Sequence, residues 1–181
     1  MDMSARELVT ALHGMGFGGL FLLGFSGALL ELRRRSAPAP RDVTWLRAHL
    51  AAMSVLGWAT VSTGAYLVYP WYRAKPSAET ASLSDLPQRL LMANPGTAGW
   101  HTLGMEWKEH VAWFAPIAIT AVTYVVFRYR EGWADRRIRG AALGLVGVAF
   151  FAAAVAGVFG ALLDKAAPVR GGAHFAILHG H

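Results

Sequence analysis

Two histidines in this sequence stand where a polar side chain is costly. His13 follows a short polar start (Asp2, Arg6, Glu7), and His110 follows the polar and aromatic run of residues 100–109. Each lies about two helical turns inside an apolar stretch. With ~1.5 Å of rise per residue, both sit roughly 10 Å in from ends that face the same side of the membrane. An imidazole at that depth needs something to bind it. Two imidazoles at one level on two helices of a small bundle are what bis-histidine ligation of a b-type haem requires. The favoured expectation is therefore one haem b, with His13 and His110 as axial ligands of its iron.

The surrounding residues suit that expectation. Steps of three and four from His13 reach Gly16, Phe17, Leu20, Gly24 and Gly27, glycines that allow close helix packing and leave room for a flat macrocycle. At similar depth the second apolar block offers Ser62, Thr63 and Gly64, and the fourth offers Ala156, Gly157 and Gly160. Trp107, Trp113 and Phe114 beside His110 could wall a porphyrin. Arg6, seven residues before His13 and nearer the surface, could meet a propionate. The plainer readings stay open: glycine faces that only pack helices, aromatic residues of the interfacial belt, and a histidine pair that only hydrogen-bonds between helices.

The other polar residues carry weaker signals. His49 lies near the opposite end of the second block with no second histidine at its depth. It is expected to be interfacial, to join Glu31 in a quinone-site network, or to ligate a macrocycle with another subunit. His101 is nine residues from His110, on the opposite face of the same helix, and is the first reserve ligand, with His49 the second. His174, His179 and His181 fall in a Gly-containing tail expected to be frayed. Glu106 and Glu109 bracket Lys108, and these charges are expected to face water, a partner protein or a proton path. No zinc-protease pattern, phosphate loop or dinucleotide fingerprint occurs, so hydrolytic and nucleotide-driven functions have no residues to carry them.

The elements that must position these residues follow from composition. Fifty-five per cent hydrophobic against fifteen per cent charged residues is too apolar for a soluble domain of 181 residues. The apolar residues come in four blocks, about 8–32, 43–69, 103–127 and 141–163, each near the ~20 residues that cross a bilayer core. The expectation is an all-α integral membrane four-helix bundle forming a single transmembrane domain over 1–181. A Pro-rich linker, 36–41, joins the first two blocks. Residues 71–100 form the one long loop, with a short capped helix after Ser84 and Asp85 that stops at Asn94, Pro95 and Gly96.

The basic residues gather in the 1–2 and 3–4 connections: Arg33, Arg34, Arg35, Arg41 and Arg47, then Arg128, Arg130, Arg136, Arg137 and Arg139. The positive-inside rule puts both termini and the 71–100 loop on the periplasmic side of a bacterial inner membrane. The net charge of +6 has no recognition motif beside it, so nucleic acid is not expected as a partner. No cleavable secretory signal is expected. The absence of cysteine excludes disulfides, thiolate metal sites, iron–sulfur ligation and covalent haem attachment.

On His13, His110 and their glycine and aromatic surroundings, across all four helices, the chain resembles the small membrane cytochrome b subunits that anchor oxidoreductase complexes. The likeness is architectural, without a diagnostic motif. It implies a redox-complex subunit with a haem near the periplasmic face, passing electrons between a quinone pool or partner subunit and a periplasmic partner. The alternatives are a cofactor-free structural or anchor subunit, whose histidines make interhelical hydrogen bonds, and a pigment-binding subunit. A transporter is weaker, because no broken helix or internal repeat is evident.

Overall fold

The computed structural model describes residues 2–33, 40–78, 80–129 and 135–176. Arg34, Arg35, most of the Pro-rich linker, Arg130, His179 and His181 lie outside the described residues, as do the side chains of Arg41 and His174. A short strand β1 (Asp2–Ser4) leads into α1 (Ala5–Arg33). Helix α2 begins at Pro40 and runs to Tyr72. The short α3 (Pro87–Ala93) precedes α4 (Pro95–Arg128) and α5 (Arg136–Ala166), and β2 (His174–Ala176) follows. The long helices α1, α2, α4 and α5 are each long and apolar enough to cross a membrane.

Local chemistry sets where these helices start. Ser4 and Glu7 form a reciprocal capping box: the Glu7 amide donates to Ser4 Oγ at 3.3 Å, and the Ser4 amide donates to Glu7 Oε2 at 2.8 Å. Asp135 Oδ1 accepts from the Arg137 amide at 2.7 Å and caps α5. Asn94 corrects the sequence expectation. It ends α3 but also caps α4, its Oδ1 accepting from the Gly96 amide at 2.8 Å, with Pro95 in the first turn. Proline is favoured there because its missing N–H would be unbonded anyway. Helix α4 thus starts near residue 95, two turns before the expected 103.

Helix α1 packs on α2 and α5, and α4 also packs on α2 and α5, so α1 and α4 stand on a diagonal of the bundle. The main core, with Phe25, Leu50, Met53, Ile119, Val122 and Val146, fills one half. A second cluster of Tyr72, Leu91, Met105, Leu163, Ala167 and Val169 closes the other. β1 pairs antiparallel with β2, Asp2 opposite Ala176, so the first and last described residues lie together at this second, terminal end. Arg33, Arg47, Arg128, Arg136, Arg137 and Arg139 mark the opposite, arginine end. Large apolar side chains such as Leu23, Leu30, Val55, Ile117, Phe151 and Val158 point outward, as expected of a bundle solvated by lipid.

Lipid tails compete with apolar side chains for apolar contact, so such helices associate by close packing and interhelical hydrogen bonds. Both are present. A Cβ at Gly24 would fall 2.8 Å from Met53 Cγ, and one at Gly57 would fall 3.1 Å from the Phe21 ring. Between α2 and α4, Ser54 and Thr123 hydroxyls lie 2.9 Å apart, and Trp58 Nε1 donates to Thr120 Oγ1 at 3.0 Å. Three of the four long helices also leave α geometry in the terminal half. π-Helical turns occupy Leu12–Gly19 of α1, Gly64–Val68 of α2, and Trp100–Met105 and Trp107–Val111 of α4. Such turns recur at functional sites.

Candidate functional site

His13 lies in the π-turn of α1 and reaches across to α2. Its Nδ1 stands 2.9 Å from the Thr60 carbonyl oxygen and 3.2 Å from Thr63 Oγ1. A carbonyl only accepts, so Nδ1 carries a hydrogen. The ring fills a socket at Gly64, where a Cβ would stand 2.7 Å from Cε1. Thr63 and Gly64 are thus the neighbours expected from depth alone. Nε2 has no hydrogen bond among the described residues.

Lys108 was expected, with Glu106 and Glu109, to face water, a partner protein or a proton path. It is half-buried, and a Cβ at Gly160 of α5 would lie 3.0 Å from its Nζ. Its ammonium acts electrostatically on both His13 and Asp164, and Glu7 acts on Asp164 in turn. Asp164 is exposed, one turn nearer the chain ends than Gly160. Asp164, Lys108 and His13 form a series of ionisable groups from rim to interior, drawn from α5, α4 and α1. The available signal was a lysine in the polar run that leads into an apolar helix, with a glycine and an aspartate four apart on another.

His110 faces away from this series. Its side chain is 70% exposed, on an outward stripe of α4 with Leu103, Glu106, Phe114 and Ile117. Nδ1 lies 3.1 Å from the Glu106 carbonyl oxygen and 3.3 Å from Glu106 Oε2. Histidines that ligate metals hold one nitrogen on an acceptor and present the other. His13 and His110 each have that donor chemistry. They do not oppose each other across a shared iron, because one ring is turned into α2 and the other outward. A bis-histidine haem within one chain therefore does not fit this arrangement.

The remaining expected site residues are spoken for. Arg6 Nη1 donates to the Arg170 carbonyl at 3.4 Å and its guanidinium lies 5.6 Å from the Trp71 ring centroid. Trp107 Nε1 donates to the Ala152 carbonyl at 2.9 Å, and its ring stands edge-on to Phe151. Phe17 is half-buried, and the nearest atoms to a Cβ at Gly16 belong to Leu12 of the same helix. The glycines read as space for a macrocycle largely hold side chains: Met53 at Gly24, His49 at Gly27, and Leu22 at Gly157.

His49 mirrors His13. It reaches from α2 back to α1, where Nε2 lies 2.8 Å from the Gly24 carbonyl oxygen, and its ring stacks on Trp45 at 4.7 Å. The two histidines clamp α1 and α2 reciprocally, each on the other helix's backbone. His101 joins the cap at the terminal end. Its Nδ1 is 2.7 Å from the Tyr72 hydroxyl, and its Nε2 is 3.4 Å from Gln88 Nε2. Among the described residues, no group of three or more His, Asp or Glu side chains is placed to hold a metal ion.

Compared with protein-family models, curated proteins and solved structures, the chain matches none of them.

Proposed function

We propose that the chain is a proton-handling subunit of a membrane redox complex, lying in a bacterial inner membrane with its terminal end toward the periplasm. The observation that carries this reading is the seat of Lys108 of α4 against Gly160 of α5, one turn from Asp164, at the level where α1, with His13, and α4 turn π-helical. Ionisable groups inside apolar bundles mark ion paths and proton relays. Ordered from an exposed carboxylate to a half-buried amine to an anchored imidazole, they can pass a proton between the surface and the bundle interior. The arginine asymmetry between the two ends supports the orientation.

The test uses the full chain in nanodiscs and the complex isolated from native membranes. Lys108→Met keeps length and removes charge. It is expected to change the NMR titration of the His13 ring and to slow proton-coupled turnover of the complex at least about tenfold. Lys108→Arg should retain most of the turnover. Unchanged turnover in Lys108→Met, or a chain that copurifies with no redox partner, would sink the reading.

A second reading rests on His110. An outward imidazole with Nδ1 anchored and Nε2 presented suits a haem b shared with a neighbouring subunit, an electron-transfer site next to a quinone pool or periplasmic partner. A reduced-minus-oxidised spectrum of the isolated complex decides it. The b-type signal should disappear in His110→Ala and persist in His13→Ala; a signal that survives His110→Ala rejects this ligand.

A further inference from the structure

Beyond His13 the hydrogen bonds lead nowhere. Its Nδ1 donates to the Thr60 carbonyl, an acceptor with no hydrogen to pass on. The Thr60 and Thr63 hydroxyls donate to carbonyls of their own helix, those of Leu56 and Ala59, each at 2.7 Å. Further along, the Thr120 and Thr123 hydroxyls of α4 donate in the same way to the Pro116 and Ile119 carbonyls, again at 2.7 Å. Each hydroxyl hydrogen is committed one turn back, so these side chains do not line up into a route for a proton.

An apolar layer closes the bundle at this level. Phe21 and Phe25 of α1, Met53 of α2, Ile119 of α4 and Ala149 of α5 are each at most 3% exposed. The helices interlock there: a Cβ at Gly57 would stand 3.1 Å from both the Phe21 ring and Pro116 Cβ. No charged residue occurs from 14 to 30, 50 to 72, 111 to 127 or 140 to 163, a stretch in every long helix. The π-turn of α1 ends at Gly19, before this layer begins. At the terminal rim, by contrast, Asp164 is exposed.

A path that is open on one side and blind on the other turns membrane potential into proton occupancy. With ~1.5 Å of rise per residue, His13 lies about 10 Å inside a hydrocarbon core ~30 Å thick, so a proton that reaches it crosses about a third of the field. Lys108 of α4 is the charged group that acts on His13, Asp164 of α5 acts on Lys108, and Glu7 of α1 acts on Asp164. Helix α2 faces the ring with the Thr60 carbonyl and the Thr63 hydroxyl, which carry no charge.

We propose that the terminal half of the bundle is a proton well, open at Asp164 and closed beyond His13, through which the membrane potential regulates protonation of the Asp164, Lys108 and His13 series. The well rests on the proton-handling reading and adds its sidedness and its regulation. With the terminal end toward a positive periplasm, the potential drives protons inward and acts as a lower periplasmic pH would.

The experiment places the complex from native membranes in sealed liposomes, terminal end outward, with the pH set on each side and the potential set by potassium and valinomycin. The pH profile of turnover should follow the outer pH and ignore the inner one. A potential of about 100 mV, positive outside, should move that profile up by about half a pH unit, a third of the full-field effect. The turnover left in Lys108→Met should lose this shift, and liposomes of the full chain alone should leak protons no faster than protein-free ones. A profile that follows the inner pH, one indifferent to the potential, or a proton conductance of the full chain that Lys108→Met abolishes would overturn the well and leave the relay standing. Unchanged turnover in Lys108→Met would reject the relay and the well together.

Discussion

Replacing Gly104 with alanine will push α4 away from α5 in the terminal half of the bundle. The added Cβ would lie 2.6 Å from Phe159 Cδ1, 2.8 Å from Cγ and 3.1 Å from Cβ. Turning the ring about χ1 moves Cγ and Cδ1 but leaves the 3.1 Å contact with Cβ, so the helices must still give by a few tenths of an ångström. Overpacking of this kind costs about 1–3 kcal/mol, and the loss belongs at the upper end here because close contact is what holds membrane helices together. Unfolding in a graded denaturing detergent measures it. Phe159→Ala in the same chain should recover much of the loss, as expected for two residues in direct contact. A Gly104→Ala protein as stable as wild type would mean that α4 and α5 do not approach this closely.

Gly64→Ala is the second large effect, and it acts on the proposed site. Its Cβ would stand 2.7 Å from His13 Cε1 and 3.3 Å from both ring nitrogens. The imidazole must leave the socket, giving up the Thr60 carbonyl and the Thr63 hydroxyl. The expected loss is about 1–3 kcal/mol, together with a changed titration of the His13 ring. Gly14→Ala is the control, since a Cβ there meets nothing within 4 Å. It should stay within about 0.5 kcal/mol of wild type. Equal effects of the two substitutions would remove the reason for a glycine at position 64.

The four long apolar helices were legible because their signal is additive: block after block of apolar residues, with arginines collected at alternate connections. Thr63 and Gly64 as neighbours of His13 were legible for a related reason, since depth along a helix needs only a residue count. The direction in which a residue faces was not legible. Each π-turn inserts about one extra residue, so a face counted in threes and fours is displaced by roughly 100° beyond it. His110 lies within the second such turn of α4; it was paired with His13 by depth, and depth says nothing of the direction a side chain faces. Arg6 was placed beside a propionate by the same regular count, and lies instead against Trp71 and the Arg170 carbonyl. Lys108 was left between water, a partner protein and a proton path because a lysine between two glutamates reads equally well as a surface residue, and its half-buried seat at Gly160 is visible only in three dimensions.

The pairing of β1 with β2 has a consequence for how the chain is made. Synthesis runs from the amino end, so Met3 emerges well before Phe175, its strand partner. The Arg6 contact with the Arg170 carbonyl spans 164 positions. Strand β1 must therefore wait until all four long helices have been made before it is closed, and until then its backbone groups stay open, an edge that a foreign strand could meet first.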